Sequence, residues 1–396
     1  MDSKTKRKPP DYLLFFLTLA LGAFGILMVF SASSMVSTYD NGGNSLVFAK
    51  KQIIAFAMGI VGMFIFMNMS YAKLRKLVFP LFCCIIIMLI LVLMIGNGDQ
   101  YGSRSWIDLG PLNLQPSEFA KLGIVLYLAA LITNKGDKLS NFKNGLLPCL
   151  VVTGVVAFLI LLEGDMGSAS ILLGGSAIVI LVGGARIFHT VVIGASGLFV
   201  GALYIFMPML KDPTKTSYRI ERLTAMRNPF GDMQNSTWQI ANSLFAFGHG
   251  GLTGTGIGNS IQKLHFLSQA HSDFIFAIIG EELGFIKTAI FLLVYALFIW
   301  RGIVVSLRCS DKFASLAGIG IMSMIGVQAL INIGGVTNTI PMTGVTLPLI
   351  SYGGSSALAV LLSMGIVLGI SREPVLEESS SKRKTERGRH PVTRSY

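Results

Sequence analysis

This chain is a succession of apolar runs, most of them long enough to cross a lipid bilayer, separated by short polar turns. A hydrocarbon layer of about 30 Å takes roughly 20 apolar residues of α-helix. Ten such spans can be placed, at about residues 12–33, 49–68, 77–95, 118–133, 146–162, 167–185, 187–209, 273–300, 313–336 and 353–371. The boundary near Arg186 is the shortest turn among them. With 52% hydrophobic and only 13% charged residues, the length does not translate into two or three soluble domains. The expected fold is an all-α polytopic membrane protein, a single bundle of about ten transmembrane helices with one large extracellular loop. That domain covers residues 1–371, with the loop at about 210–272; residues 372–396 form a basic, Ser-rich tail that reads as disordered and suits anionic lipid heads. Frequent glycine fits close helix packing in lipid.

Basic residues orient the bundle. Lys4 to Lys8, Lys73 to Lys76, Lys135 to Lys143, Arg186, Arg301 to Lys312 and the tail fall on one side, whereas 163–166 and 337–352 hold neither Lys nor Arg. The positive-inside rule makes the basic side cytoplasmic, both termini included. Much of the net charge of +12 is therefore topological and implies no nucleic acid. The first apolar run is long enough to span and remain, so no cleavable signal peptide is expected. Cys83, Cys84, Cys149 and Cys309 form neither a disulfide framework nor a CxxC metal pattern.

Against this background Asp273 stands out. It lies between a long stretch read as polar, Lys211 to His271, and the apolar run Phe274 to Trp300. A carboxylate at the mouth of a membrane helix marks a substrate path, a relay or a catalytic site, or else Ser272 or Asp273 merely caps the helix. The loop before it carries Arg219 and Arg222, three apart and so on one face of a helix, although it lies on the side that should be poor in cations. Long loops escape that rule, but an anionic headgroup would require such cations, and arginine forks suit phosphate oxygens. Glu118 and Lys121, also three apart, pair either as a structural unit or as part of a site. Glu163 and Asp165 could pair with Lys121 or an arginine, or cap the sixth span; at least one of Glu281 and Glu282 must face the bundle interior. Gly254, Gly256 and Gly258 read as a tight loop near the headgroups, with no strand before them and no P-loop lysine after. His249, His265 and His271 lack metal-site spacing and read as loop or interface residues. Pro341, Pro348 and the run Gly353 to Ser356 bracket a loop expected to fold back toward the bundle, where irregular backbone is tolerated only against protein or water.

These segments together resemble the SEDS family of bacterial peptidoglycan glycosyltransferases. The resemblance rests on Gly102-Ser103-Arg104-Ser105-Trp106-Ile107, Gln115-Pro116-Ser117-Glu118 with Lys121, Tyr218-Arg219-Ile220 with Arg222, and Gln239 with Ser243. It continues through Gly256 to Ser260, His271-Ser272-Asp273-Phe274, Glu281-Glu282-Leu283-Gly284 and Thr346-Leu347-Pro348-Leu349-Ile350-Ser351-Tyr352-Gly353-Gly354-Ser355-Ser356. The Thr-Leu-Pro-Leu-Ile form is closer to the division and sporulation members, FtsW and SpoVE, than to the rod-elongation ones. There are departures: Glu163-Gly164-Asp165-Met166-Gly167-Ser168 stands where the family usually has Gln-Pro-Asp-Leu-Gly-Thr, Thr343 where some division members have Lys, and Ser268-Gln269 where Pro-Glu is usual.

The resemblance implies polymerisation of lipid II outside the bacterial cytoplasmic membrane, with Asp273 as the essential aspartate and a class B penicillin-binding protein, the transpeptidase, as partner alongside other divisome proteins. On the substrate side it places Arg104, Trp106, Glu118, Lys121, Arg219, Arg222, Gln239 and Ser355. The chemistry needs a base for the attacking sugar hydroxyl, which Asp273 suits, and cations for the departing pyrophosphate, which Arg104, Lys121, Arg219 and Arg222 suit, helped by a divalent cation such as Mg or Mn. A lone base with no second carboxylate as nucleophile suits inversion at the anomeric carbon. Two rival readings stay open: a lipid II flippase or transporter, although no internal repeat is evident, and a non-catalytic scaffold that docks the transpeptidase.

Overall fold

The computed structural model describes residues 8–40, 44–96, 105–108, 113–186, 224–233 and 237–373. The seventh span, Arg104, Arg219, Arg222, most of the tail and residues 210–223 of the large loop lie outside these described residues.

Among the described residues the chain is an all-α bundle. Its helices are α1 (Tyr12–Asp40), α2 (Val47–Asn68), α3 (Tyr71–Ile95), α4 (Pro116–Lys135), α5 (Leu147–Leu162), α6 (Met166–Val182), α7 (Trp238–Gly250), α8 (Ile275–Leu307), α9 (Lys312–Val336) and α10 (Gly354–Ser371). Eight helical segments are long and apolar enough to cross a membrane, and α6 is a shorter apolar helix. Local chemistry sets the helix starts. Asp11, Asp165, Asp311 and Ser70 accept N–H groups of the first turns of α1, α6, α9 and α3, and Pro116 opens α4. Antiparallel strands β1 (Ile107–Asp108) and β2 (Asn113–Leu114) form a small hairpin before α4.

The two ends of the bundle are built differently. At one end the first and last described segments meet: Lys8 N–H donates to Arg372 O at 3.1 Å, and Asp11 N–H to Ser371 Oγ at 3.0 Å. Arg301 binds both carboxylate oxygens of Asp11, at 3.2 and 2.6 Å. At the opposite end regular helix gives way to irregular backbone.

The eighth span differs from its sequence reading. α8 begins at Ile275 and is broken at Gly284, whose φ of 75° and ψ of 176° are not helical. From Gly284 to Leu307 the helix alone is about 36 Å long, enough to span. The first arm, 275–283, turns across the bundle instead of continuing the axis. Thr288 Oγ1 reaches Ile279 O at 3.4 Å, a nine-residue separation that a straight helix would hold about 13 Å apart. Glu282 meets Ser31, about 28 Å up α1, and Asp273 O meets Asn332, about 30 Å up α9, so the two ends of the arm sit at one height. The large loop also holds more structure than a polar reading implies, since α7 packs on this arm through Phe247 and Phe276, 5.7 Å apart.

Residues 344–352 fold back into the bundle as expected. Tyr295 Oη donates to Pro348 O at 3.1 Å, and Gly25 of α1 lies against the backbone of Leu349 and Ile350. A Cβ on Gly25 would stand 2.2 Å from Leu349 O, so only glycine allows this approach. Both contacts lie about 18–20 Å from the termini end, which puts the tip roughly 10 Å inside a hydrocarbon layer.

Candidate active site

The site is assembled at the irregular end from side chains that satisfy irregular backbone. Asp273 is half-buried in the turn leading into α8. It does not cap that helix: the capping position is Phe274, and no side chain there or at Ser272 bonds the first turn. The capping alternative for Asp273 therefore falls away. Instead Asn332 of α9 pins the turn, donating from Nδ2 to Asp273 O at 2.8 Å and to Val345 O at 2.7 Å. One amide thus ties the Asp273 turn to the re-entrant loop. Tyr352 N–H adds a second tie, to His271 O at 2.9 Å.

Gln52 of α2 holds the far limb of the re-entrant loop. Its Nε2 donates to Ser351 O at 3.2 Å and its Oε1 accepts Gly353 N–H at 3.1 Å. Gln328 of α9 holds the near limb through Thr346 O, at 3.0 Å. Buried backbone with no secondary-structure partner needs such donors and acceptors. None of these three amides was singled out in the sequence. The signal was there, because Gln52, Gln328 and Asn332 are polar residues within apolar runs, fully buried here.

The starts of α4, α6 and α10 converge beside this loop. Ser355 Oγ accepts Gln115 N–H at 3.0 Å and donates to Asn113 O at 2.7 Å. Asp165, besides capping α6, accepts Gln115 Nε2 at 3.2 Å and Ser117 Oγ at 3.3 Å. Glu118 and Lys121 pair at 2.8 Å, both almost fully buried, and Lys121 Nζ also donates to Gln328 Oε1 at 2.6 Å. The pair lines a cavity of about 30 Å³ between α4, α9 and α10, room for roughly two waters. Lys121 therefore does not reach Glu163. That carboxyl is 1% exposed, and neither oxygen has a hydrogen-bond partner. Burial, with Asp165 beside it, pushes its pKa up to about 9.

Both acidic residues ahead of the α8 break are buried and engaged. Glu281 accepts His249 Nδ1 at 2.8 Å, Ile261 N–H at 2.9 Å and the Ser260 hydroxyl. Glu282 accepts Ser31 Oγ at 2.6 Å and Lys263 Nζ at 3.0 Å. They anchor the glycine-rich loop against the break, where Thr255 and Gly256 N–H bond Glu281 O and Glu282 O, each at 3.0 Å. Gly254, Gly256 and Gly258 all take positive φ, as the tight loop requires. Gln239 Nε2 donates to Ser268 Oγ at 2.7 Å, and Trp106, half-buried, precedes β1. Arg104, Arg219 and Arg222 lie outside the described residues.

The geometry defines a polytopic membrane protein whose half-buried aspartate stands beside a re-entrant loop at one end of the bundle. The chain belongs to the cell cycle protein family of FtsW, RodA and SpoVE, whose model matches residues 11–375. It is 41% identical to stage V sporulation protein E of Bacillus subtilis, over 93% of this chain and 98% of the relative. It is 36% identical to a probable peptidoglycan glycosyltransferase FtsW of Trichlorobacter lovleyi, over 91% and 93%. Among solved structures it resembles a chain of a peptidoglycan synthase complex that coordinates polymerization and crosslinking, with TM-score 0.73 and 30% identity over 92% of this chain and 98% of that one. It also resembles the rod shape determining protein RodA of Thermus thermophilus, with TM-score 0.67 and 29% identity over 92% and 97%.

Proposed function

We propose that this chain is a peptidoglycan glycosyltransferase that polymerises lipid II at the outer face of a bacterial cytoplasmic membrane, in division or sporulation. The observation that carries the reading is Asp273, half-buried in a turn fixed from two sides, in a chain related over nearly its whole length to glycosyltransferases of this kind. Asp273 takes the proton of the attacking sugar hydroxyl. Arg104, Arg219 and Arg222 neutralise the departing pyrophosphate. Trp106, Gln239 and Ser355 line the approach. Glu118 and Lys121, already paired and bonded to Gln328, act on the substrate side by fixing α4 against the loop. The irregular end faces outward and both termini lie in the cytoplasm, as the basic loops require.

Among the described residues no cluster of three or more His, Cys, Asp or Glu could hold a metal. A divalent cation such as Mg²⁺ or Mn²⁺, when bound, would add positive charge for the departing pyrophosphate, whose hard oxygens suit it. The partner is a class B penicillin-binding protein, the transpeptidase; kinship with a chain of a peptidoglycan synthase complex supports that pairing. Other divisome proteins and membrane lipids are the remaining contacts.

The test uses purified protein with its transpeptidase and labelled lipid II. Glycan ladders are expected, and Asp273→Asn should abolish them with an unchanged melting temperature. Loss of a general base lowers rates by about 10²–10⁴-fold. Normal ladders from the Asn variant would remove Asp273 from the chemistry. Lipid II crossing vesicles without polymer would indicate a flippase, and neither outcome would leave a scaffold.

A further inference from the structure

The turn that delivers Asp273 also buries a histidine. His271 is 7% exposed and lies two residues before the aspartate. Its ring is held by Phe48 of α2, with centroids 4.6 Å apart, and by Tyr352 at the end of the re-entrant loop, at 5.4 Å. Phe48 and Tyr352 meet edge to face at 5.2 Å, so the three rings form one half-buried aromatic wall. The two ring nitrogens are not equivalent. Nδ1 is buried without a partner, whereas Nε2 is not among the buried, unpartnered atoms.

That asymmetry selects a tautomer. A buried N–H with no acceptor costs about 1–3 kcal/mol, and orphaned donors are rarer than under-satisfied acceptors. An imidazolium, or the neutral Nδ1–H form, would place such a donor among apolar rings. The neutral form with its proton on Nε2 leaves only a lone pair buried. Desolvation acts in the same direction and lowers the pKa from 6.5 to about 4. A histidine that stays neutral does not compete with Asp273 for the acceptor's proton.

We propose that His271 is a substrate-binding residue that presents a neutral Nε2–H to a sugar oxygen, a hydroxyl or amide carbonyl, of the substrate held beside Asp273. An uncharged donor in an aromatic wall fits a sugar ring, which has polar edges and apolar faces; a pyrophosphate would favour a cation. The assignment rests on the glycosyltransferase reading above. It adds a contact to the sugar, and the two can fail separately.

The test titrates labelled lipid II against the full-length chain with its transpeptidase. His271→Phe keeps the ring stack and removes the donor; His271→Gln keeps an N–H donor without the ring. Phe should raise the KM for lipid II about tenfold, the equivalent of one hydrogen bond, with a smaller change in kcat and an unchanged melting temperature. Gln should recover part of that loss. A wild-type KM in the Phe variant, with Asp273→Asn still inactive, would overturn the assignment and leave the function standing. Equal losses in Phe and Gln that track lowered melting temperatures would also overturn it, in favour of packing alone. Full activity in Asp273→Asn would remove both.

Discussion

The two ends of this bundle solve opposite problems. At the termini end regular helices run to their natural ends, and a few polar contacts tie the first and last described segments together: Lys8 to Arg372, and Asp11 to Ser371 and Arg301. At the loop end two stretches of backbone leave helical geometry while still packed inside the protein, at Gly284 and at 344–352. The re-entrant stretch is satisfied by buried amides of other helices, Gln52, Gln328 and Asn332, and the break by backbone of residues 251–256. Open irregular backbone at membrane depth has no water to fall back on, so every such partner is a requirement. The difference teaches where the structure has room for chemistry. The termini end could be loosened with little consequence, whereas the loop end is a set of interlocked hydrogen bonds around one aspartate.

The sharpest way to break that contrast is at the α8 turn. A Cβ at residue 284 would stand 2.1 Å from Gly254 N and 2.5 Å from Thr253 C, and its φ of 75° is strained for any side chain. Neither neighbour is a flexible side chain that can swing aside. Gly284→Ala should cost about 5 kcal/mol, of the order of the net stability of a folded domain. Fluorescence-detected size exclusion should show little folded protein. A folded, active Ala variant would mean that the arm 275–283 is not locked to the glycine loop.

The second effect lies at the buried ion pair. Removing one member of a desolvated pair strands the other and costs about 3–5 kcal/mol. Lys121→Met leaves Glu118 unpaired and frees Gln328 Oε1, so its melting temperature should fall most; Glu118→Gln should fall less, because Lys121 keeps Gln328. The double variant should lose less than the sum. Strict additivity in thermal melts would show that the pair is not coupled.

The described spans were legible in the sequence because hydrocarbon thickness dictates their length; the seventh lies outside the described residues, and α7 fell within the stretch read as polar loop. Their starts were legible at Asp165 and Pro116, where the chemistry is local. The re-entrant loop was legible from its prolines and glycines, and the Glu118–Lys121 pair from its three-residue spacing. The break at Gly284 was not. An apolar run with one glycine reads as continuous helix, and only the hydrogen bonds from 251–256 make the break affordable. The same blindness covered Gln52 and Asn332, whose partners lie 299 and 59 residues away. Sequence spacing cannot show such pairs. The choice between capping and function at Asp273 also needed the backbone, which gave the cap position to Phe274.

Glu163 sharpens the comparison, because among the described residues it is a loop-end carboxyl with no hydrogen-bond partner. Its folded pKa, about 9, lies above the ordinary carboxylate value of 4.5, so the folded state holds a proton that the unfolded chain has released. The contribution is therefore full below about pH 4.5 and is lost as pH rises toward 9. Glu163→Gln cannot ionise and should escape that loss. Its melting temperature should match wild type at pH 5 and exceed it at pH 8.5. Equal pH dependence in both proteins would mean that Glu163 is charged and compensated in the folded state.

The smallest effect is expected at the termini end. Burial raises the pKa of Asp11, but the Arg301 hydrogen bond and charge, with the Leu14 N–H, more than offset it and leave a net lowering. Its stabilisation is thus present above the ordinary aspartate range and lost as pH falls through the depressed value. Asp11→Asn isolates the ion pair, because asparagine still caps α1 as aspartate does. The pair is partly solvated, 24% exposed on Arg301 and 14% on Asp11, and exposed pairs contribute about 0.2–1 kcal/mol. The variant should therefore melt only slightly below wild type at neutral pH and low salt. The gap should shrink in high salt, and again as pH falls below the ordinary aspartate range through the depressed value, where the wild-type carboxylate takes up its proton. A loss as large as that of Lys121→Met would place this end among the interlocked parts and erase the distinction between the two.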